Sequence, residues 1–260
     1  MYVTGGRLAA LAVGLPFVVG VAVVGAFSVV GDFAQTSERH VASYPWSGGG
    51  VTLRTDGNVT VEVGSSPQIA VMYTEHYQLK KPSVTSATSG GGLQLTAKCP
   101  GAVVVFGSNC AINYVLTVPA TAALNMHSGD GYIHVTGSTA ALSLDSGNGG
   151  IEFDNVTGDV VAHTGNGGLS GSQVSSRNVQ VSTGNGGIDI TWSMAPTTVV
   201  ATTGNGGIHL VVPQGSGPYR TSTHTGNGSA HVNVANDSSA ASSITAETGD
   251  GSITIGYAAS

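Results

Sequence analysis

The stretch LSLDSGNGGIEF, residues 142–153, contains the pattern that decides the fold. Two short runs in which apolar and polar residues alternate flank a Ser-Gly-Asn-Gly turn. A period of two is typical of a β-strand with one buried face. Glycine admits positive φ, and asparagine tolerates the left-handed region of backbone space. The stretch therefore predicts a strand, a tight turn and a second strand.

The same pattern recurs along the carboxyl-terminal half of the chain. Two short strands cannot bury their apolar faces alone, but stacked pairs bury one continuous column. We therefore predict an all-β fold, a single-stranded-type β-solenoid (β-helix) of about seven regular coils, over residues 120–260. The seven motifs begin 18 to 23 residues apart, at Ser128, Ser146, Thr164, Thr183, Thr203, Thr225 and Thr248.

The central residue of each turn predicts a ladder of side chains along the solenoid. If the coils stack in chain order, these residues lie above one another and form an amide ladder with an aspartate at each end. A structural role is preferred here over a role in binding a ligand. The residues are Asp130, Asn148, Asn166, Asn185, Asn205, Asn227 and Asp250.

Residues 51–119 alternate in the same way but without a regular repeat, and Asp56-Gly57-Asn58 is typical of a hairpin turn. We interpret this region as an irregular β cap at the amino-terminal end, because a bare solenoid end exposes strand edges. Cys99 and Cys110 are the only cysteines. In an exported domain such a pair predicts a disulfide, here closing a hairpin.

Residues 8–31 contain no charged side chain, and 24 residues of helix are long enough to span a membrane. They predict a transmembrane signal anchor, with a cleaved signal peptide as the alternative. Arg7 places residues 1–7 in the cytoplasm and the carboxyl-terminal domain outside. Residues 32–50 lack periodicity and predict a stalk. The expected location is the cell membrane, in a single-pass topology.

The charge distribution excludes one class of partner. Residues 120–260 carry nine acidic and two basic side chains, a net charge of −7. Binding to nucleic acid depends on clusters of Lys and Arg that displace counterions from phosphates. We therefore expect no nucleic acid partner.

Outward-facing columns of the predicted stack contain histidines and acids. With coils in chain order, Asp189, His209 and His231 follow one another and supply two imidazoles and a carboxylate, a set that can bind a metal. The preferred interpretation is a solvated polar face without metal or cofactor. A second column contains His127, Asp145 and His163. The four acids of one coil allow a glycosidase hypothesis; they are Asp145, Glu152, Asp154 and Asp159. Solvated surface acids are the preferred interpretation, because Asp154 and Asp159 lie on a six-residue loop and Glu152 faces outward.

The connection from each coil to the next lengthens toward the carboxyl terminus, from 6 residues at 136–141 to 11 at 233–243. Insertions in repeat proteins collect on the working face. The longer connections carry Trp192, Met194, Tyr219 and Arg220, residue types favoured in binding sites. These four are the predicted partner contacts. The alternative is that the long connections cover the last coils, whose inward residues are small.

Several residues together resemble a known family. Cys99-Pro100, then Cys110 with Tyr114 and the run 115–119 (VLTVP), then repeated Gly-x-Gly turns and Val212-Pro213 with Tyr219, are similar to the bacterial putative-adhesin domains of unknown function. The resemblance is to the membrane-anchored form found in actinobacteria and covers about residues 45–257. It implies a β-solenoid outside the membrane with an adhesive role, and no catalytic residues.

The sequence therefore predicts a non-catalytic binding or adhesion module, anchored in the membrane, for an unidentified glycan or protein ligand. Two alternatives stay open. One is a glycan-acting β-helix enzyme, and the other is a structural module that self-associates through its carboxyl-terminal coil.

Overall fold

The computed structural model describes residues 22–24, 35–78, 80–100 and 110–259. Within these ranges all regular structure is β-strand, in two sheets of 12 and 10 strands. None of the described residues forms a helix long and apolar enough to cross a membrane. The strands are β1 (Ala22–Val24), β2 (Thr36–Pro45), β3 (Val51–Thr55), β4 (Val59–Gly64), β5 (Gln68–Tyr77), β6 (Ser83–Ser89), β7 (Gly92–Lys98), β8 (Ala111–Pro119), β9 (Leu124–Ser128), β10 (Ile133–Thr136), β11 (Leu142–Ser146), β12 (Ile151–Asp154), β13 (Val160–Thr164), β14 (Leu169–Val174), β15 (Asn178–Asn185), β16 (Ile188–Trp192), β17 (Thr198–Asn205), β18 (Ile208–Val212), β19 (Arg220–Asn227), β20 (Ala230–Val232), β21 (Ser243–Asp250) and β22 (Ile253–Tyr257).

The seven predicted coils are present, and each contributes one strand to each sheet. The first strand of a coil joins the 10-stranded sheet and the second joins the 12-stranded sheet. Neighbouring coils pair in parallel and in register, so that Leu142 lies between Leu124 and Val160. Alternate residues of both sheets point inward and form one continuous apolar core.

The buried hydroxyl that opens each turn bonds to the adjacent coil. Thr183 Oγ1 donates to the carbonyl of Gly167 at 2.8 Å, and Thr203 Oγ1 donates to the carbonyl of Gly186 at 2.9 Å. These bonds satisfy turn carbonyls that are buried or half-buried between the coils. The same bond is made by Ser128, Ser146, Thr164, Thr225 and Thr248.

Glycine is required in most turns by close packing rather than by positive φ. A Cβ at Gly149 would lie 2.0 Å from the carbonyl oxygen of Gly131, and one at Gly167 would lie 2.2 Å from that of Gly149. Positive φ occurs only at the later turns, as at Gly206. The central asparagines are not left-handed, since the only described non-glycine residues with positive φ lie elsewhere. The predicted conformational reason is therefore wrong for them.

The solenoid extends into the region that we interpreted as an irregular cap. Strands β3 and β4 form a further coil below β9 and β10, and β7 with β8 forms another beyond it. Asp56-Gly57-Asn58 is therefore a coil turn and not a hairpin, because β3 and β4 belong to different sheets. The turn of this coil is one residue shorter than the Gly-Asn-Gly turns of the later coils, so it does not match the repeated motif.

Cys99 and Cys110 form the predicted disulfide, with their Cα atoms 5.9 Å apart. The bond does not close a hairpin, since β7 and β8 are in different sheets. It instead closes the turn of the outermost coil at the amino-terminal end. Residues 101–109, between the cysteines, lie outside the described residues.

The irregular part of the cap is antiparallel. Strand β5 pairs with β8 on one side and with β2 on the other, and β6 pairs with β7. The predicted stalk, 32–50, is therefore wrong over Thr36–Pro45, which form β2. The inward positions of this strand include Glu38 and His40, so the strand carries little hydrophobic alternation.

The predicted membrane anchor, 8–31, and the segment 1–7 lie outside the described residues except for Ala22–Val24. That triplet forms β1, which pairs antiparallel with β2.

The last two coils stack in the reverse of their chain order. Strands β21 and β22 pair with β17 and β18, and β19 and β20 pair only with β21 and β22. The carboxyl-terminal coil is therefore inserted between its two predecessors, and the coil of residues 220–232 forms the end of the solenoid. The expectation of simple chain order is wrong at this point.

Candidate functional site

The asparagine ladder forms the outer edge of the turns. Asn148 Nδ2 donates to Asp130 Oδ1, and Asn166, Asn185 and Asn205 continue the run with bonds of 2.7–2.9 Å. Asn227 Nδ2 donates to Asp250 Oδ1 in a separate pair. Asp250 lies between Asn205 and Asn227, so the two aspartates are not the two ends of one ladder.

A strip of glycines runs beside this ladder on the outer face of the 12-stranded sheet. It comprises Gly150, Gly168, Gly187 and Gly207, each placed just before the second strand of its coil. Gly168, Gly187 and Gly207 are exposed. Four stacked coils span roughly 14 Å at about 4.8 Å per step. We call this surface the glycine strip.

Packing does not require glycine along most of this strip. A Cβ at Gly168, Gly187 or Gly207 would meet its nearest atom at 3.5–3.6 Å, an ordinary contact. None of these residues has a positive φ. Glycine weakens a strand, and where the fold does not need it, it often marks a close approach by a ligand.

Tyr132 closes one end of the strip. Its ring lies over Gly150, where a Cβ would be 3.0 Å from Tyr132 Cε2. The side chain is 38% exposed, and its hydroxyl donates to Glu152 Oε2. Partial burial, together with the hydrogen bond to Glu152, raises the pKa of Tyr132. The strip thus ends at an exposed aromatic face with a neutral hydroxyl at its edge.

A polar column borders the strip on the side away from the ladder. His134 Nδ1 lies 3.2 Å from Glu152 Oε2, and His134 Nε2 lies 3.6 Å from Asp154 Oδ2. Ser170, Asp189 and His209 continue the column in the next coils. The strip therefore lies between two rows of hydrogen-bonding groups.

The first predicted metal set is not assembled. His209 Nδ1 lies 3.4 Å from both carboxylate oxygens of Asp189, but Thr254 stands between His209 and His231. The reversed order of the last coils separates the two imidazoles, so Asp189, His209 and His231 as a contiguous set is wrong.

The second column is not a set of three either. His127 Nδ1 lies 2.7 Å from Asp145 Oδ2, whereas His163 Nδ1 bonds to Ser182 Oγ at 2.9 Å. His163 therefore turns to the next coil, away from Asp145.

The four acids of the glycosidase hypothesis divide between the two sheets. Glu152 and Asp154 lie together on the 12-stranded sheet, and Asp145 and Asp159 lie at the 10-stranded sheet. Asp154 Oδ1 accepts from the Ser172 hydroxyl, and Asp159 Oδ1 accepts from Asn178 Nδ2 at 3.0 Å. The four acids therefore do not form one cluster, and Asp145 lies opposite His163 and not beside Asp159.

The predicted partner contacts divide into two buried and two accessible residues. Trp192 and Tyr219 are 2% and 1% exposed and belong to the core, so they do not form a contact surface and the prediction for them is wrong. Met194 is 60% exposed, and Arg220 is exposed at the start of β19. The long connections thus contribute two buried side chains to the core.

One cluster was missed because its strand was predicted to be a stalk. His40 and Glu38 in β2 face Glu75 in β5, with His40 Nε2 3.6 Å from Glu38 Oε2 and 3.7 Å from Glu75 Oε2. Lys81 Nζ contacts both carboxylates. Alternation of charged residues at Glu38 and His40 was the available signal.

Comparisons with known proteins agree with this architecture. No curated protein matches the chain. Among solved structures, a putative adhesin from Bacteroides fragilis NCTC 9343 is 14% identical with a TM-score of 0.51, covering 85% of this chain and 97% of that chain. A putative cell adhesion protein from Clostridium sporogenes ATCC 15579 is 15% identical with a TM-score of 0.41, covering 86% and 100%. At these identities the first likeness shows the fold alone.

The family model described as Toastrack DUF4097 matches residues 51–260, which include every coil of the solenoid. The chain therefore belongs to the Toastrack DUF4097 family.

Proposed function

We propose that this protein is a non-catalytic binding module that holds an extended glycan along the glycine strip. The observation that carries the proposal is a row of exposed glycines that neither sterics nor backbone conformation requires. Such a row leaves an open floor between the asparagine ladder and the column of Glu152, Ser170 and Asp189.

The chemistry of the strip suits a sugar chain. Glycans present hydroxyls that pair with amides and carboxylates, and their C–H faces pack on aromatic rings. The strip offers both kinds of contact, with Tyr132 at one end and the amides of Asn148, Asn166 and Asn185 along one side. A ligand site typically combines a preformed surface with a small number of polar groups directed toward it. A binding role is also compatible with the name of the Bacteroides fragilis structure that shares the fold, a putative adhesin.

We propose that residues 8–31 anchor the protein and that the solenoid lies outside the cell, which requires Ala22–Val24 to belong to the anchor and not to the strand β1 that pairs with β2. The uncharged run and Arg7 support this topology. Protease added to intact spheroplasts should then digest the domain, and full protection of the domain would contradict the proposal.

Binding is tested with the full-length protein in detergent and purified cell-wall polysaccharides as the probe. Gly168→Val with Gly187→Val fills the strip with side chains whose Cβ atoms meet their nearest atoms at ordinary distances of 3.5–3.6 Å. We expect at least a tenfold loss of binding with an unchanged melting temperature. Ser182→Val with Thr202→Val is the matched control, since these residues face outward from the 10-stranded sheet.

Unchanged binding by the filled-strip variant would overturn the proposal. Loss of binding on changing Met194 and Arg220 to alanine, with the filled-strip variant unaffected, would assign recognition to the long connections instead. A polysaccharide that the wild-type protein cleaves would establish the enzymatic alternative.

A further inference from the structure

We propose that Glu38, His40 and Glu75 bind a divalent transition-metal ion, with Zn²⁺ as the probe, and that the ion ties β2 to β5. This site is separate from the glycine strip and does not depend on its function. Two ligands come from β2 and one from β5, strands that pair antiparallel over Thr36–Pro45. One bound ion would therefore cross-link the two strands.

The first reason is that buried polar atoms of the cluster lack hydrogen-bond partners. Among the described residues, neither His40 Nε2 nor Glu75 Oε2 has one, although His40 is 7% exposed and Glu75 is 2% exposed. The cation beside Glu75 Oε2 is Lys81 Nζ, 3.5 Å away and beyond close hydrogen-bond distance, and a buried carboxylate that is compensated so loosely is costly. Both atoms point at the same space, and a cation there would satisfy both.

The second reason is the spacing of the three atoms. A tetrahedral zinc site with bonds of about 2.0–2.2 Å has ligand atoms roughly 3.3–3.6 Å apart. His40 Nε2 is 3.6 Å from Glu38 Oε2 and 3.7 Å from Glu75 Oε2. All three ligand atoms lie within 4.8 Å of one another. Both His40 separations therefore lie within a few tenths of an ångström of the range for a tetrahedral site.

The third reason is that neighbouring side chains already orient the ligands. Tyr77 Oη donates to Glu38 Oε1 at 2.7 Å, which leaves Glu38 Oε2 directed into the cluster. The imidazole of His40 stacks on Tyr73, with ring centroids 4.7 Å apart and planes at 18°. Outer partners of this kind fix the ligands of metal sites in proteins.

Lys81 occupies the place of a cation in the structure. Its ammonium contacts Glu38 Oε2 and lies 3.5 Å from Glu75 Oε2, but half of its side chain is exposed. The lysine and a metal ion would compete for the same two carboxylates, and the lysine can swing into solvent. This competition distinguishes a metal site from a purely structural ion-pair network.

A second cluster, His134 with Glu152 and Asp154, does not compete with this assignment. Its three ligand atoms also lie within 4.8 Å of one another, but all three residues are half-buried and none of their polar atoms is a buried atom without a hydrogen-bond partner. His134→Gln therefore serves as the control variant.

The test is calorimetric titration of the full-length protein in detergent with Zn²⁺. We expect one ion per chain in the wild type and, because the competing charge is gone, about tenfold tighter binding in Lys81→Met. Glu75→Gln and His40→Gln should abolish binding, and His134→Gln should leave it unchanged. Melting without zinc reports whether each variant is folded.

Two results would overturn the site. One is the absence of zinc binding in both the wild type and Lys81→Met. The other is binding that survives His40→Gln and is lost in His134→Gln. If either ligand variant unfolds, the comparison of Lys81→Met with the wild type still decides, since weaker or unchanged binding in Lys81→Met contradicts the proposed competition.

Discussion

The Ser or Thr that opens each turn is a structural residue, because its buried hydroxyl satisfies a glycine carbonyl of the adjacent coil. Thr203 is 2% exposed and donates to Gly186 at 2.9 Å, while its neighbour Thr202 faces outward. Two adjacent threonines of one strand thus have opposite environments.

Thr203→Val should destabilise the protein by about 1–3 kcal/mol, because the same shape is kept but a buried carbonyl loses its donor. Thr202→Val should change stability by at most about 0.5 kcal/mol. Chemical denaturation of both variants measures the difference. Equal effects of the two substitutions would show that the buried hydroxyl contributes nothing specific.

For single residues, the repeat predicts which positions form the turns but not the physical reason that glycine is required at them. The Gly-Asn-Gly pattern placed every turn between residues 124 and 255, and the asparagine ladder was predicted from it. The positive φ expected for these residues is mostly absent, because stacking distance sets the requirement at positions such as Gly149 and Gly167. A contact between coils leaves no local trace in the sequence.

Among the elements, the connections after the second strands contribute buried anchors. Trp192 ends β16 inside the core, and Met194 lies two residues further on at the surface. The two residues appear equivalent in the sequence, since both are large apolar residues in a long connection.

Trp192→Ala should destabilise the protein by about 3–5 kcal/mol, because it leaves a large cavity in the core. Met194→Ala should change stability by at most about 0.5 kcal/mol, as expected for a surface position. Urea denaturation checks both values. A small effect of Trp192→Ala would mean that the connection is not part of the core.

Regular elements were predictable wherever apolar residues alternate, and β2 shows the limit of that rule. Its inward side carries Glu38 and His40, whose environment depends on Glu75 in another strand. The sequence around Glu38 and His40 does not indicate that Glu75, 35 or more residues further along the chain, completes a buried cluster. The candidate metal site could therefore not be found from the repeat.

For the whole molecule, the order of the coils in space differs from their order in the chain. Residues 243–257 stack on 198–212, and residues 220–232 stack outside them. The inward residues of the terminal coil, Thr221, Thr223 and Ala230, are small. Their small size is explained by the position of this coil, which has a neighbouring coil on one side only. Their small size was the sequence signal for the end of the stack, although simple chain order concealed it.

Ending the chain after residue 242 should free residues 220–232. Their only partners within the described sheets are β21 and β22, and Thr221 and Thr223 offer little apolar surface for a new pairing with β17. Hydrogen exchange should show lost protection over 220–227 and unchanged protection over 160–192. Retained protection over 220–227 in the shortened chain would show that this coil can pair directly with β17.

The insertion of residues 243–257 between two earlier coils also determines when the stack of coils can be completed during biosynthesis. A nascent chain that has delivered residues up to 232 leaves β17 and β18 without the neighbours they have in the native stack, because their partners are synthesised afterwards. The earlier coils can add one by one as they emerge, whereas β17 and β18 gain their native neighbours only when residues 243–257 have been synthesised. A prematurely terminated chain thus keeps open strand edges, a natural substrate for proteases and for unwanted strand addition.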